Sequence, residues 1–220
     1  MAEAPKSRNF IGQAWLVILL ALLYGGALAT VHTALSARIA ENKRNETYSV
    51  IPILVEGADQ SMTAEVSVEG QNGKELTVYR VLDSGGHHRG WVLPAAGQGF
   101  ADQIEILIGL DAEVSTIAGL YVLGQKETPG LGDYITGEGF RNRFRGKPTD
   151  RPLVVVKSDP KANNEILALT GATISSESVS GIVNRALANL KGPIRQLAPG
   201  GGEEQDEASS PADRQGETGP

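Results

Sequence analysis

IEILIGL at residues 104–110 and TIAGLYVL at residues 116–123, with Asp111-Ala112-Glu113 turning between them, decide the fold. Each run is apolar, too short for a typical helix and bounded by turn residues, which reads as a buried strand. The short connection makes the pair a hairpin and the sheet antiparallel. Upstream, Thr63, Glu65, Ser67 and Glu69 alternate with Ala64, Val66 and Val68, a strand with one wet face. Gly70-Gln71-Asn72-Gly73 turns, and Leu76, Val78 and Arg80 belong to the next strand. Gly85 to Gly99 carries five glycines and Pro94, which predicts loops around a short strand at Trp91–Leu93. Downstream, LVVVK at 153–157 is a further strand. After Thr173, Val179, Ile182, Val183, Ala186, Leu187 and Leu190 recur on one face of a helix expected to end before Gly192-Pro193. The composite is an α+β domain over 63–198, mainly an antiparallel sheet with flanking helices.

The two ends differ in kind from this domain. Phe10 to His32 (FIGQAWLVILLALLYGGALATVH) holds no formal charge over 23 residues, enough to cross a hydrocarbon core of roughly 30 Å as a helix. Lys6 and Arg8 precede it and favour a cytoplasmic 1–9, although Arg38, Lys43 and Arg44 follow. A cleaved signal peptide ending near Ala27-Leu28-Ala29 and a buried core helix are the competing readings. The apolar run exceeds the usual signal core of ~7–15 residues, which favours an uncleaved anchor. Residues 33–62 read as a helical stalk and linker. From 199 to 220 the chain is rich in Gly, Glu, Ser and Pro and cannot bury enough apolar surface to offset ordering, so a disordered acidic tail is expected.

Charge and composition exclude several classes. The formal net charge is −6, but the last twenty residues hold six acids against Arg214. The rest is nearly neutral, with no basic patch suited to nucleic acid. There is no cysteine, which removes disulfides, thiol catalysis and cysteine-held iron–sulfur, haem or zinc sites. Only His32, His87 and His88 are present, so a three-histidine metal site is not expected.

Three segments are candidates for chemistry. Glu127-Thr128-Pro129-Gly130-Leu131-Gly132-Asp133 follows a strand with a tight, rigid turn, able to pass close to a flat ring or to present amides to an anion. By itself it is equally a plain surface turn. Thr170-Gly171-Ala172-Thr173 leaves room around the Thr173 hydroxyl at the start of a helix, where free N–H groups and the dipole favour a phosphate. Ser175 and Ser176 add hydroxyl donors or simply cap that helix. Lys157, at the end of LVVV, is either solvated or faces a negative ligand.

In their order, Gly97-Gln98-Gly99-Phe100, IEILIGLD, GLYVLGQ leading into KETPGLGD, the lysine strand and TGATISS resemble the FMN-binding subunits of membrane redox pumps. These are the G subunit of the Rnf ion-translocating oxidoreductase and the related C subunit of the sodium-pumping NADH:quinone reductase. The resemblance runs from the anchor to about Leu190. It implies that Thr173 is bonded to the FMN phosphate by a dedicated flavin transferase, with Gly171 and Ala172 lining the phosphate. It also implies that Thr128 and Leu131 contact the flavin, that Lys157 lies near it and that Phe100 packs near the ring. Thr170, Glu127 and Gly130 complete the candidate cofactor set. One position departs: the acidic residue usual three places before the first threonine is Leu167 here, with Glu165 two residues earlier.

The resemblance implies an electron-carrier subunit, acting between ferredoxin and NAD within a complex of other membrane subunits. The flavin domain would lie outside the cell inner membrane, anchored in the lipid bilayer through residues 10–32. Neither His87 nor His88 is needed as an acid or base. The anchor carries no charge, so the ion path is not expected to run through it. The C subunit of a quinone reductase, a stand-alone anchored flavoprotein and a flavin-free scaffolding domain are the alternatives.

Overall fold

The computed structural model describes residues 10–198, so the expected cytoplasmic 1–9 and acidic tail 199–220 lie outside the described residues. The chain divides between Asn45 and Glu46 into two units. In the first, helix α1 (Phe10–Leu54) begins. Leu16, Val17, Leu22, Leu23, Leu28 and Val31 are all more than half exposed, which is incompatible with a core helix of a water-soluble domain. Thr30, Thr33 and Ser36 turn their hydroxyls back onto the carbonyls of Gly26, Ala29 and Thr33, which masks their polarity along the helix. Among the described residues this is the one helix long and apolar enough to cross a membrane.

The second unit starts inside α1. Val50, Ile51 and Leu54 recur on one helical face and, with Val55, bury against Tyr79, Val81, Val92 and Leu107. Within the stretch expected as stalk and linker (33–62), Thr47, Val50, Ile51, Leu54 and Val55 are therefore buried. Gly109 and Gly119 make this packing possible. A Cβ at either would lie 2.9 Å from the Leu54 carbonyl oxygen. Tyr121 and Tyr48 fix the same segment by hydroxyl bonds, to Glu46 and Glu65 respectively.

Five strands follow in a meander: β1 (Ala64–Glu69), β2 (Glu75–Leu82), β3 (His88–Gln98), β4 (Gln103–Asp111) and β5 (Ile117–Gly124), each antiparallel to its neighbours. The deciding hairpin is β4–β5, with Ile108 opposite Leu120. The loop expectation for 85–99 is corrected: β3 has eleven residues. Its glycines serve close approach rather than looping. A Cβ at Gly90 would lie 2.2 Å from the Leu110 carbonyl oxygen. Pro94 is tolerated because pairing with β2 stops at Val92, while pairing with β4 continues to Gln98.

After β5 come a 3-10 turn (Gly132–Thr136), the short helix α2 (Glu138–Arg141) and a second 3-10 turn at Asn142–Phe144. They bury Ile135, Phe140 and Phe144. Strand β6 (Val154–Val156) pairs in parallel with β7 (Glu165–Leu167), a strand too short to show a period in the sequence. Helix α3 (Thr173–Leu197) then covers the second face of the sheet with Val179, Ile182, Val183, Leu187, Leu190 and Ile194. It does not end before Gly192-Pro193. Proline at 193 frees the Asn189 carbonyl, and the Gln71 amide of the β1–β2 turn takes it at 3.0 Å, so the helix continues.

Candidate functional site

A cleft of about 380 Å³ opens where three segments meet: the β3–β4 turn, the loop after β5, and the start of α3. Phe100, Thr128, Leu131, Gly171, Ala172 and Thr173 line it. Six residues chosen from three separate stretches of sequence thus share one cavity, of a size common for small-ligand sites.

Each stretch is shaped for this. The β3–β4 turn is closed by the Gly99 amide on the Asp102 carbonyl at 2.8 Å, which lifts Phe100 to the tip, 59% exposed. Asp102 pairs with Lys126 at 3.0 Å across the two loops. The Gln103 amide, and then Lys126, hold its carboxyl below the ordinary value. In the second loop, Gly130 has φ +75°, a conformation that L side chains resist, and the Leu131 amide closes onto the Thr128 carbonyl. In the third, Gly171 has φ +80°, and a Cβ there would lie 3.1 Å from Leu131 Cδ2. The two glycine turns therefore touch across the cleft.

At the start of α3, Ser176 is the first residue whose amide finds a helical acceptor, the Ala172 carbonyl. Among the described residues, no acceptor takes the amides of Thr173, Ile174 and Ser175. Of the two readings of Ser175 and Ser176, both hydroxyls donate hydrogen bonds and neither caps the helix. Ser176 donates to the Ala172 carbonyl and accepts from the Leu169 amide, and Ser175 donates to Glu127 at 2.6 Å. Three free amides at the positive end of a 25-residue helix beside a threonine hydroxyl fit a phosphate. The apolar walls, Phe100, Leu131 and Ile174, fit a flat ring.

Residues 99–188 match the family model described as FMN-binding domain. The chain is 30% identical to the G subunit of the Na⁺-translocating ferredoxin:NAD⁺ oxidoreductase complex of Acetobacterium woodii, over 73% of this chain and 82% of that one. It is 27% identical to the G subunit of the ion-translocating oxidoreductase complex of Methanosarcina acetivorans, over 78% and 89%. The chain belongs to the G-subunit family of ion-translocating oxidoreductase complexes. In this G-subunit family member the redox role rests on an FMN-binding domain, and the apolar N-terminal part of α1 is the membrane anchor. The fold is shared with two solved structures of C subunits of the Na⁺-translocating NADH-quinone reductase type. For the Shewanella oneidensis protein the TM-score is 0.51 at 24% identity, covering 57% of this chain and 62% of that one. For the Parabacteroides distasonis protein it is 0.50 at 23%, covering 73% and 83%.

The remaining predicted residues of this G-subunit relative fall elsewhere. Lys157 is exposed beyond the end of β6 and does not line the cleft. Thr170 is exposed in the turn before it, and Gly130 shapes the loop from behind Leu131. Glu127 is 4% exposed and lies under the cleft, accepting from Ser175 and from the Ala101 amide at 3.1 Å. Gly132, Ile174 and Ser175 are lining residues outside the predicted cofactor set. The sequence did carry a signal for Ile174: an apolar residue in the first turn of a helix whose core face starts only at Val179.

Proposed function

We propose that this chain is the electron-carrier subunit of an Rnf-type ion-translocating oxidoreductase, holding FMN through a phosphoester to Thr173. The observation that carries this reading is the meeting of Thr173, the free amides of α3 and the two glycine turns in one cleft. Bound FMN supplies one- and two-electron redox chemistry at its ring. The chain's own residues do the rest. The Thr173 hydroxyl is the attachment point, made once by a flavin transferase, and is not a group of turnover. The amides of residues 173–175 and the helix dipole face the phosphate. Phe100, Leu131 and Ile174 hold the ring while leaving an edge in reach of redox partners, since each is about half exposed. A covalent tether keeps the cofactor on a domain that faces away from the cytoplasmic flavin supply.

By this reading residues 10–32 span the inner membrane, 1–9 are cytoplasmic and the flavin domain is extracytoplasmic. The name of the Acetobacterium relative supplies ferredoxin and NAD⁺ as the electron partners of the complex. With no charge between Phe10 and His32, the ion path belongs to other subunits.

The test is intact mass and in-gel flavin fluorescence of denatured protein, wild type beside Thr173→Ala and Thr173→Ser, expressed with an active flavin transferase. The reading expects wild type to gain one FMN less water and Thr173→Ala to gain nothing. Thr173→Ser keeps a hydroxyl and should be modified at least in part. An unmodified wild type, alongside a control flavoprotein modified in the same cells, would end the covalent reading.

A further inference from the structure

A second, larger cleft of about 590 Å³ lies away from the flavin site, where β2 and β3 part company beneath α3. Strand β2 stays paired with β1 as far as Glu75, but its pairing with β3 begins only at Tyr79, opposite Val92. Past Val92, β3 continues for six residues with β4 on one side and, among the described residues, no strand on the other. Pro94 fixes which groups face the gap. A proline opposite Leu107 in an antiparallel ladder must turn its nitrogen away from β4, so residues 94, 96 and 98 point outward. The Gly99 amide's bond to the Asp102 carbonyl sets the same phase, odd residues of β3 bonding β4, so the amides of Ala96 and Gln98 face the side on which, among the described residues, no strand is paired with them.

The opposite wall is the flank of α3, where Ile182, Ala186 and Leu190 give an apolar floor. Arg185 stands at one end. It lies over Gly97, where a Cβ would come 2.7 Å from its guanidinium, and it forms no ion pair among the described residues. A row of unpaired main-chain groups beside a helix is matched by another main chain in extended form, not by a small ligand. Free edges of this kind are commonly blocked by charge or proline; 94–98 (PAAGQ) carries no charge, and its one proline stands at the start, leaving 95–98 unguarded.

We propose that this groove takes an extended segment of a neighbouring subunit. The segment adds a strand to β3 at Pro94–Gln98, sets apolar side chains against the part-exposed Leu76 and Ala186, and places an acidic side chain on Arg185. The proposal rests on membership of a multi-subunit complex and is independent of how the flavin is attached.

Hydrogen exchange on the full chain in detergent, alone and within the purified complex, tests it directly. The amides of Ala96 and Gln98 should exchange freely in the isolated chain and slow by at least about tenfold in the complex. Because the chain has no cysteine, Ala96→Cys offers a single cross-linking point whose partner peptide can be mapped. A cross-link to one segment of another subunit, with both amides protected, supports the proposal. A cross-link to a second copy or to residues 199–220, or unchanged exchange in an intact complex, overturns it. Ala96→Pro removes the outward N–H without touching a β4 bond and should release the chain from the complex while its flavin fluorescence stays, with Ala96→Ser remaining assembled. An assembled, fluorescent Ala96→Pro also overturns it. If that variant fails to fold, the exchange result on wild type decides. An assembled Ala96→Pro that has lost its flavin overturns it equally, since assembly is what the proposal says must fail, and the Thr173 reading is tested separately by the Thr173 variants.

Discussion

Replacing Glu127 is the sharpest probe of how the cleft at the start of α3 is held. Its carboxylate is buried beneath the cleft and joins the β3–β4 turn to α3, by accepting from the Ala101 amide at 3.1 Å and the Ser175 hydroxyl at 2.6 Å. Glycines let the backbone close in around it: a Cβ at Gly99 would lie 2.3 Å from Oε1, and one at Gly132 2.8 Å from Oε2. The Ser175 bond is fully buried, so losing its charged acceptor costs roughly 1.5–3 kcal/mol. The Ala101 bond is only part-buried, and about 1 kcal/mol is a fair allowance there. Glu127→Ala should therefore lose ~2.5–4 kcal/mol, a large share of the roughly 5–15 kcal/mol typical of a domain. Glu127→Gln keeps the shape and both contacts, since the serine hydroxyl can rotate to accept, and should lose only ~1–2 kcal/mol. Urea unfolding followed by tryptophan fluorescence measures both. The decisive experiment is the cycle with Ser175→Ala. Contact between the two side chains predicts a coupling of ~1–2 kcal/mol, whereas effects additive to within about 0.3 kcal/mol would refute the bridge.

Three further outcomes follow from the same geometry. Gly109→Ala drives a methyl onto the Leu54 carbonyl oxygen and should destabilise the domain by ~2–3 kcal/mol in the same urea assay, because backbone cannot move aside as a side chain can. Gly171→Ala forces a side chain into a φ of +80° beside Leu131, and should cost ~1–2 kcal/mol and slow flavin attachment measured by in-gel fluorescence. Asp111 gives a pH signature. Burial, the largest single effect on it, pushes its carboxyl up, but hydrogen bonds from Ser115 and Thr116 together outweigh this and hold it below its ordinary value of 3.8. Its contribution is thus complete above the unfolded value and lost as pH falls through the depressed folded one. Asp111→Asn should be less stable at neutral pH and show a flatter loss of stability below about pH 4 in acid titration.

The sequence by itself determined the elements whose periodicity is long and clean. The 23 uncharged residues from Phe10, the β4–β5 hairpin and the helix after Thr173 each repeat a local rule often enough to be read without partners. The motif order also singled out most of the residues that line the cleft at the start of α3, because tight glycine turns and a threonine before a helix are local chemistry. Tertiary structure decided the rest, wherever a residue's meaning depends on something distant in the chain. Gly90 and Pro94 look like loop formers until β4 on one side, and the end of β2 on the other, make them residues of an eleven-residue strand. Pro193 looks like a stop until Gln71, more than a hundred residues earlier, takes the carbonyl it frees. Val50, Ile51, Leu54 and Val55 look like linker residues until two glycines in β4 and β5 leave the space in which Leu54 packs. Glu127 reads as a ligand contact in its motif and becomes a buried brace only because Ser175 meets it from 48 residues away. Local sequence fixes the conformation a segment prefers; only packing supplies the partner that satisfies or overrides it.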